Sequence, residues 1–246
     1  MDLSLILDEA NDLQDYFTMP EVHGSSLQDI WERTDRNLEG LYLFNYDAPP
    51  EELEYFITFF NGSFMLLEYE RMLSKGKEDR NLLKRAKVFF ESAMGAGDNI
   101  VSEVDSEERV SQAMHLTSIV NLHIGDYSEA KAQSEAASFY YGALPPKLTL
   151  LDILLRTGEV ELASNLTNSV EGIISHSKSV TRHYVKFASA CIEALWNNAA
   201  NKETLLCMPC LEASQLHQFH GDKSVHSEDA LKHYCFNSSS VFSYQN

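Results

Sequence analysis

The chain has 246 residues, 44% of them apolar and 23% charged, a balance that suits one or two globular domains and excludes wholesale disorder. Eleven glycines and six prolines are too few for a loop-rich β or collagen-like protein. A formal charge of −18 argues against electrostatic wrapping of nucleic acid or of anionic lipid.

Charge is unevenly spread. Residues 1–54 hold 14 acidic side chains against 2 basic ones, with no Lys or Arg before Arg33. Residues 1–50 are read as an acidic segment, partly helical or disordered. Its opening, from Leu3-Ser4-Leu5-Ile6-Leu7-Asp8-Glu9 to Asp15-Tyr16-Phe17, mixes acid with apolar anchors. Such a segment can fold as a helix into a partner's groove, with Leu5 and Phe17 as the anchors, or pack as an ordinary helix against the first helices of the body. It lacks the basic leader of a secretory signal, and no apolar run reaches the length of a membrane span. Four cysteines make no disulfide framework. The expectation is an intracellular chain with reduced thiols, cytoplasmic or nuclear, that neither inserts in a membrane nor binds nucleic acid directly.

From residue 51 the pattern is helical nearly throughout. Glu51 and Glu52 follow Pro49-Pro50 as an acidic first turn, and Leu53, Phe56, Ile57, Phe60, Phe64 and Leu67 then recur at spacings of three and four. Gly76 is a stop. Leu82, Leu83, Ala86, Phe89, Phe90 and Ala93 form the next stripe, ended by Gly95-Ala96-Gly97. Asp105-Ser106-Glu107-Glu108 caps a helix that runs to the turn at Gly125-Asp126, and another runs from Tyr127 to the break at Gly142 and Pro145-Pro146. Leu148–Leu155, a turn at Gly158, Val160–Ile174, Val180–Trp196 and Thr204–Phe219 repeat the plan. The fold class is all-α, about eight helices in stacked antiparallel pairs over 51–220, followed by a loose Ser-rich tail over 221–246.

Two of the turns match. Gly125-Asp126-Tyr127-Ser128-Glu129-Ala130 lies 33 residues before Gly158-Glu159-Val160-Glu161-Leu162-Ala163, and Ala137 and Val170 extend the match. The chain resembles a degenerate tetratricopeptide-repeat solenoid, best over 111–175. It departs from that pattern where Ser134 and Thr167 stand in place of Phe or Tyr, and where no proline follows Ile174. The resemblance implies helix pairs whose shared surface binds an extended peptide or a helix of a protein partner.

Three constellations are candidates for function. Arg71, Lys75, Lys77, Arg80, Lys84, Arg85 and Lys87 place 7 of the 19 basic residues within 17 positions. Of these, Arg80, Lys84 and Lys87 share one helical face, a seat for a phosphate or an acidic peptide unless neighbouring acids pair with it. Cys207-Met208-Pro209-Cys210 with His217 and His220 offers two thiolates and two imidazoles to a tetrahedral zinc; the plainer reading is core thiols and surface histidines. His115 and His123, on one helix, have no adjacent carboxylate or thiol and read as core or groove polar residues. Asn121, Tyr127, Tyr140, Tyr141 and Arg156 are the remaining groove candidates. No nucleophile elbow, Walker loop or zinc helix occurs.

The function expected is therefore a non-enzymatic interaction adaptor or a subunit of a larger assembly. An all-α zinc protein built around Cys207–His220 is the alternative, as is a fragment or splice form of a longer solenoid.

Overall fold

The structure, a computed structural model, describes residues 3–18, 23–44, 46, 48–140 and 144–174. Among them the fold is all-α, with eight helices and no strand. These are α1 (Ser4–Thr18), α2 (Leu27–Leu43), α3 (Pro50–Leu73), α4 (Arg80–Asp98), α5 (Glu103–Ile124), α6 (Tyr127–Tyr140), α7 (Leu144–Thr157) and α8 (Val160–Ile174). The expected helices Val180–Trp196 and Thr204–Phe219 and the tail 221–246 lie outside the described residues. The chain forms two compact units, Met1–Ile153 and Leu154–Asn246, parting within α7.

In the first unit each helix from α2 to α6 packs on the next, and α1 touches both α3 and α5. The two helices described within residues 1–50 are part of this packing. Ile6, Ala10, Leu13, Tyr16 and Phe17 of α1 and Ile30, Leu38 and Leu41 of α2 join the same buried core as the aromatic residues of α3. A capping box starts α2: the Ser26 hydroxyl accepts from the Asp29 amide and the Asp29 carboxylate accepts from the Ser26 amide. The Asp29 carboxylate also accepts from the Ser26 hydroxyl, and these bonds from Ser26 hold the Asp29 carboxyl below its ordinary pKa.

The centre of the core is aromatic. Tyr55, Phe56, Phe59 and Phe60 of α3 and Phe90 of α4 are fully buried. Phe59 meets the Phe90 ring edge-on at 5.9 Å and stacks on Tyr55 at 5.5 Å. Each such ring removed from water contributes roughly 1.5–3 kcal/mol. Phe56, Phe60 and Leu67 of the expected stripe of α3 are buried, but the buried face is rotated from that stripe, because helices cover more than one side of it. Tyr55, Phe59 and Leu66 are inside, whereas Leu53, Ile57 and Phe64 are half-buried at the margin.

Two boundaries also differ from expectation. Helix α4 continues through Gly95-Ala96-Gly97 to Asp98, because the second glycine serves packing there: a Cβ on Gly97 would lie 3.1 Å from Cβ of Arg109 and 3.3 Å from the Val110 nitrogen on α5. Pro145-Pro146 opens α7 rather than breaking the chain, since amides in a first helical turn have no intrahelical acceptor and proline gives up nothing by lacking one. Gly95 is the contrast within α4, exposed and with open space where a methyl group would stand: no atom lies within 4 Å of that position. Gly95→Ala is therefore expected to stabilise the fold by about 0.5–1 kcal/mol, read as a higher urea midpoint at unchanged slope. A lower midpoint counts against this placement of Gly95.

Helices α5 and α6 run antiparallel at close range. The Ser111 hydroxyl donates to the Ala137 carbonyl (2.9 Å) and the Ser118 hydroxyl to that of Ala130 (2.7 Å), two turns apart on each helix. Ser118 and Ser134 also bring their hydroxyls to 2.7 Å. The small residue at 134, a departure from the repeat pattern, is what permits this approach; an aromatic ring there has no room against Ser118. In the second unit Gly158 joins the end of α7 to α8, which buries Ala163, Thr167 and Val170.

Candidate partner-binding surface

Helix α4 starts at Asp79, whose carboxylate accepts from the Asn81 amide at 3.0 Å. Leu83, Ala86, Phe90 and Ala93 turn inward, which leaves Lys84, Arg85 and Val88 on the outside. Val88 is 60% exposed beside the half-buried Phe89, and these two with Lys84 and Arg85 line a shallow cleft of about 310 Å³. Of the expected cationic face, Arg80 is exposed and pairs with Glu78 at 2.7 Å, while Lys87 is half-buried and donates to Asn121 Oδ1 on α5 at 3.0 Å. Lys84 points to solvent. Spacing alone groups Arg80, Lys84 and Lys87; the structure sets Lys84 with Arg85 and draws Lys87 toward α5.

The other expected anchors separate. Leu5 is 64% exposed, whereas Phe17 is 7% exposed and packs edge-on to Tyr16 within the core, so its ring is not offered to a partner. Cys207, Cys210, His217 and His220 lie outside the described residues, as does Tyr141; among the described residues no group of three or more His, Cys, Asp or Glu could hold a metal ion. Tyr140 and Arg156 are exposed and Tyr127 is half-buried, but Asn121 and His115 are buried.

Beneath α1 runs a polar seam that sequence reasoning missed. Gln112 Nε2 on α5 donates to Asn11 Oδ1 (2.5 Å), and the Tyr55 hydroxyl donates to Gln112 Oε1 (2.8 Å). One turn along, Gln14 Nε2 donates to His115 Nδ1 (3.0 Å), and the other ring nitrogen donates to the Thr149 hydroxyl (2.8 Å). Asn11 and Gln14 thus meet Gln112 and His115, two i,i+3 pairs in register. Burial alone pulls the His115 pKa down to about 3, so the ring is neutral at pH 7 and ties three helices together with both nitrogens occupied. Burial likewise pushes the Tyr55 phenol well above its ordinary value.

Beside the seam, Arg109 lies with its guanidinium over the rings of Tyr55 (5.6 Å) and Phe56 (5.3 Å), with Glu108 at 3.6 Å. Asn11, Gln14, Asp15, Glu108, Ser111, Gln112 and Pro145 line a cleft of about 240 Å³ over it. Its walls offer amides, a hydroxyl and carboxylates, with no imidazole or thiol among them.

Two signals bear on these sites. Val88, four residues after Lys84, is a lone apolar side chain on an otherwise polar face and is legible in the sequence. The seam joins residues 101 positions apart, and no local pattern marks it.

The two matched turns have the same geometry. Gly125 has φ +90° and Gly158 φ +76°, left-handed values that favour glycine. The Asp126 amide donates to the Asn121 carbonyl and the Glu159 amide to that of Leu154, both at 2.9 Å. Ala130 and Ala163, five residues past each glycine, are fully buried. No helix among the described residues is long and apolar enough to cross a membrane. No protein-family model, curated protein or solved structure matches the chain.

Proposed function

We propose that this protein is a non-enzymatic interaction module, an adaptor or assembly subunit whose repeat-like helix pairs present a surface to a protein partner. The observation that carries the reading is the pair of glycine turns, alike in φ, hydrogen bonding and the buried alanine beyond each glycine, at a spacing of 33 residues. Helix pairs built to one plan bury a continuous core between neighbours and leave a broad outer surface for recognition. The outward face of α4, cationic and partly apolar in a strongly acidic chain, is the described surface best suited to that task.

Affinity capture of the tagged full chain from native lysate, washed at moderate and at high salt, tests this. A stoichiometric protein partner retained on the full chain, and lost when the two turns are stiffened out of shape by Gly125→Val and Gly158→Val, is the expected result. A chain recovered alone at every salt concentration overturns the reading.

A further inference from the structure

We propose that the outward face of α4 binds an acidic peptide segment carrying an apolar anchor, with its carboxylates on Lys84 and Arg85 and the anchor in the cleft beside Val88 and Phe89. This rests on the interaction reading above and specifies the chemistry of the partner.

Charge complementarity identifies the occupant. On α4, Arg80 is engaged by Glu78 and Lys87 by Asn121, but Lys84 and Arg85 have no hydrogen bond or ion pair among the described residues. In a chain of net charge −18 they form a local cationic island. An acidic ligand is repelled elsewhere and attracted there, so the island sets both where it lands and in which orientation.

The island also has an apolar neighbour. Val88 lies one helical turn beyond Lys84, and Phe89 one turn beyond Arg85, so two i,i+4 pairs place a cation next to an apolar side chain. The 310 Å³ cleft they line is shallow and suits one side chain of a peptide better than an enclosed small molecule. Carboxylates alone would be held weakly by two exposed cations. An apolar anchor that displaces water from Val88 and Phe89 adds salt-resistant affinity and strengthens the charge contacts beside it. Extended polyanions fit poorly, because two cations neutralise few charges and the surrounding acid repels the rest.

The test uses the full chain and a fluorescein-labelled peptide of Asp, Glu and Ala that carries a Leu and a Phe one helical turn apart, with binding read by fluorescence anisotropy. Saturable binding is expected. The double variant Lys84→Glu/Arg85→Glu should weaken it by about tenfold or more, and Val88→Asp by about fivefold or more. Arg36→Glu, an exposed cation on α2, should leave affinity within about twofold. Circular dichroism of each variant should match the parent chain, since all four positions are exposed and outside the buried core.

Absence of saturable binding overturns the inference. So does equal binding of a peptide whose Leu and Phe are replaced by Ser, an affinity indifferent to the variants, or capture of phosphatidylserine vesicles or RNA in preference to the peptide. The two readings separate in the capture experiment: a cellular partner that stays on Lys84→Glu/Arg85→Glu as firmly as on the parent leaves the interaction module standing and removes α4 as its binding face.

Discussion

Gly62→Ala is expected to destabilise the protein by about 1–2 kcal/mol although alanine is the better helix former. Gly62 lies in the middle of α3, where intrinsic propensity alone predicts a gain of about 1 kcal/mol from the added methyl. A Cβ built there comes within 2.7 Å of Cε1 and 2.8 Å of Cδ1 of Phe90. That ring is fully buried and held edge-on against Phe59, so it has no open space to swing into. Either the ring leaves its rotamer or α4 moves away from α3, and overpacking of this kind costs about 1–3 kcal/mol for small insertions. Gly62→Val, with two more carbons in the same place, is expected to cost more than about 3 kcal/mol.

Urea unfolding followed by circular dichroism measures both. Because the cause is one contact, the double variant Gly62→Ala/Phe90→Leu should lose less than the two single changes added together. An alanine variant as stable as the parent chain would falsify the close approach of α3 and α4. Gly95→Ala, in open space on α4, is the built-in control, with the opposite sign.

The second large effect is acid sensitivity set by His115. Its pKa is about 3 in the folded chain, depressed by burial, against about 6.5 when unfolded. Between those values the unfolded chain takes up a proton that the folded one refuses. Stability from this group is therefore complete above pH 6.5 and is lost as the pH falls toward 3. At 1.36 kcal/mol per unit, the loss is about 2 kcal/mol by pH 5 and about 4–5 kcal/mol by pH 3. Protonation also removes the acceptor that Gln14 uses, so the tie between α1 and α5 fails with it.

Partial neutralisation of the many carboxylates acts in the other direction, by relieving self-repulsion in a chain of charge −18. The comparison that isolates the histidine is the parent chain against His115→Gln, unfolded in urea from pH 7 to pH 5. The variant should be less stable at pH 7 and lose less on acidification. Parallel curves for the two chains would show that His115 is not sealed from the proton.

Much of the fold was legible in the chain itself. Helix α8 spans the residues its periodicity marks, and the glycines at 125 and 158 end their helices with left-handed backbones, because these features depend on neighbours within one or two turns. The absence of strand patterning and the acidic weighting of the first 54 residues are likewise properties of the one-dimensional string.

Tertiary structure decided what periodicity cannot carry. Helix α3 is covered on more than one side, so the stripe from Leu53 to Leu67 found Phe56, Phe60 and Leu67 of its inner face but not Tyr55 and Phe59, which are fully buried beside them. Gly97 looks like a helix stop in sequence and Gly62 carries no signal there, yet at each a neighbouring helix comes close: a Cβ would lie 2.7 Å from the Phe90 ring at Gly62 and 3.1 Å from Cβ of Arg109 at Gly97. The sequence leaves Phe17 either as an anchor for a partner or as part of an ordinary packed helix; α1 packs on α3 and α5 and takes the ring into the core. Asn11 and Gln14 meet Gln112 and His115 only because the chain returns α5 to α1 after about a hundred residues. The same packing turns Phe90 inward and leaves Lys84, Arg85 and Val88 outward, and that division of one helix between core and solvent is where the proposed binding face originates. Local propensity is set by bonds a few residues apart, whereas which face is buried depends on what else arrives there.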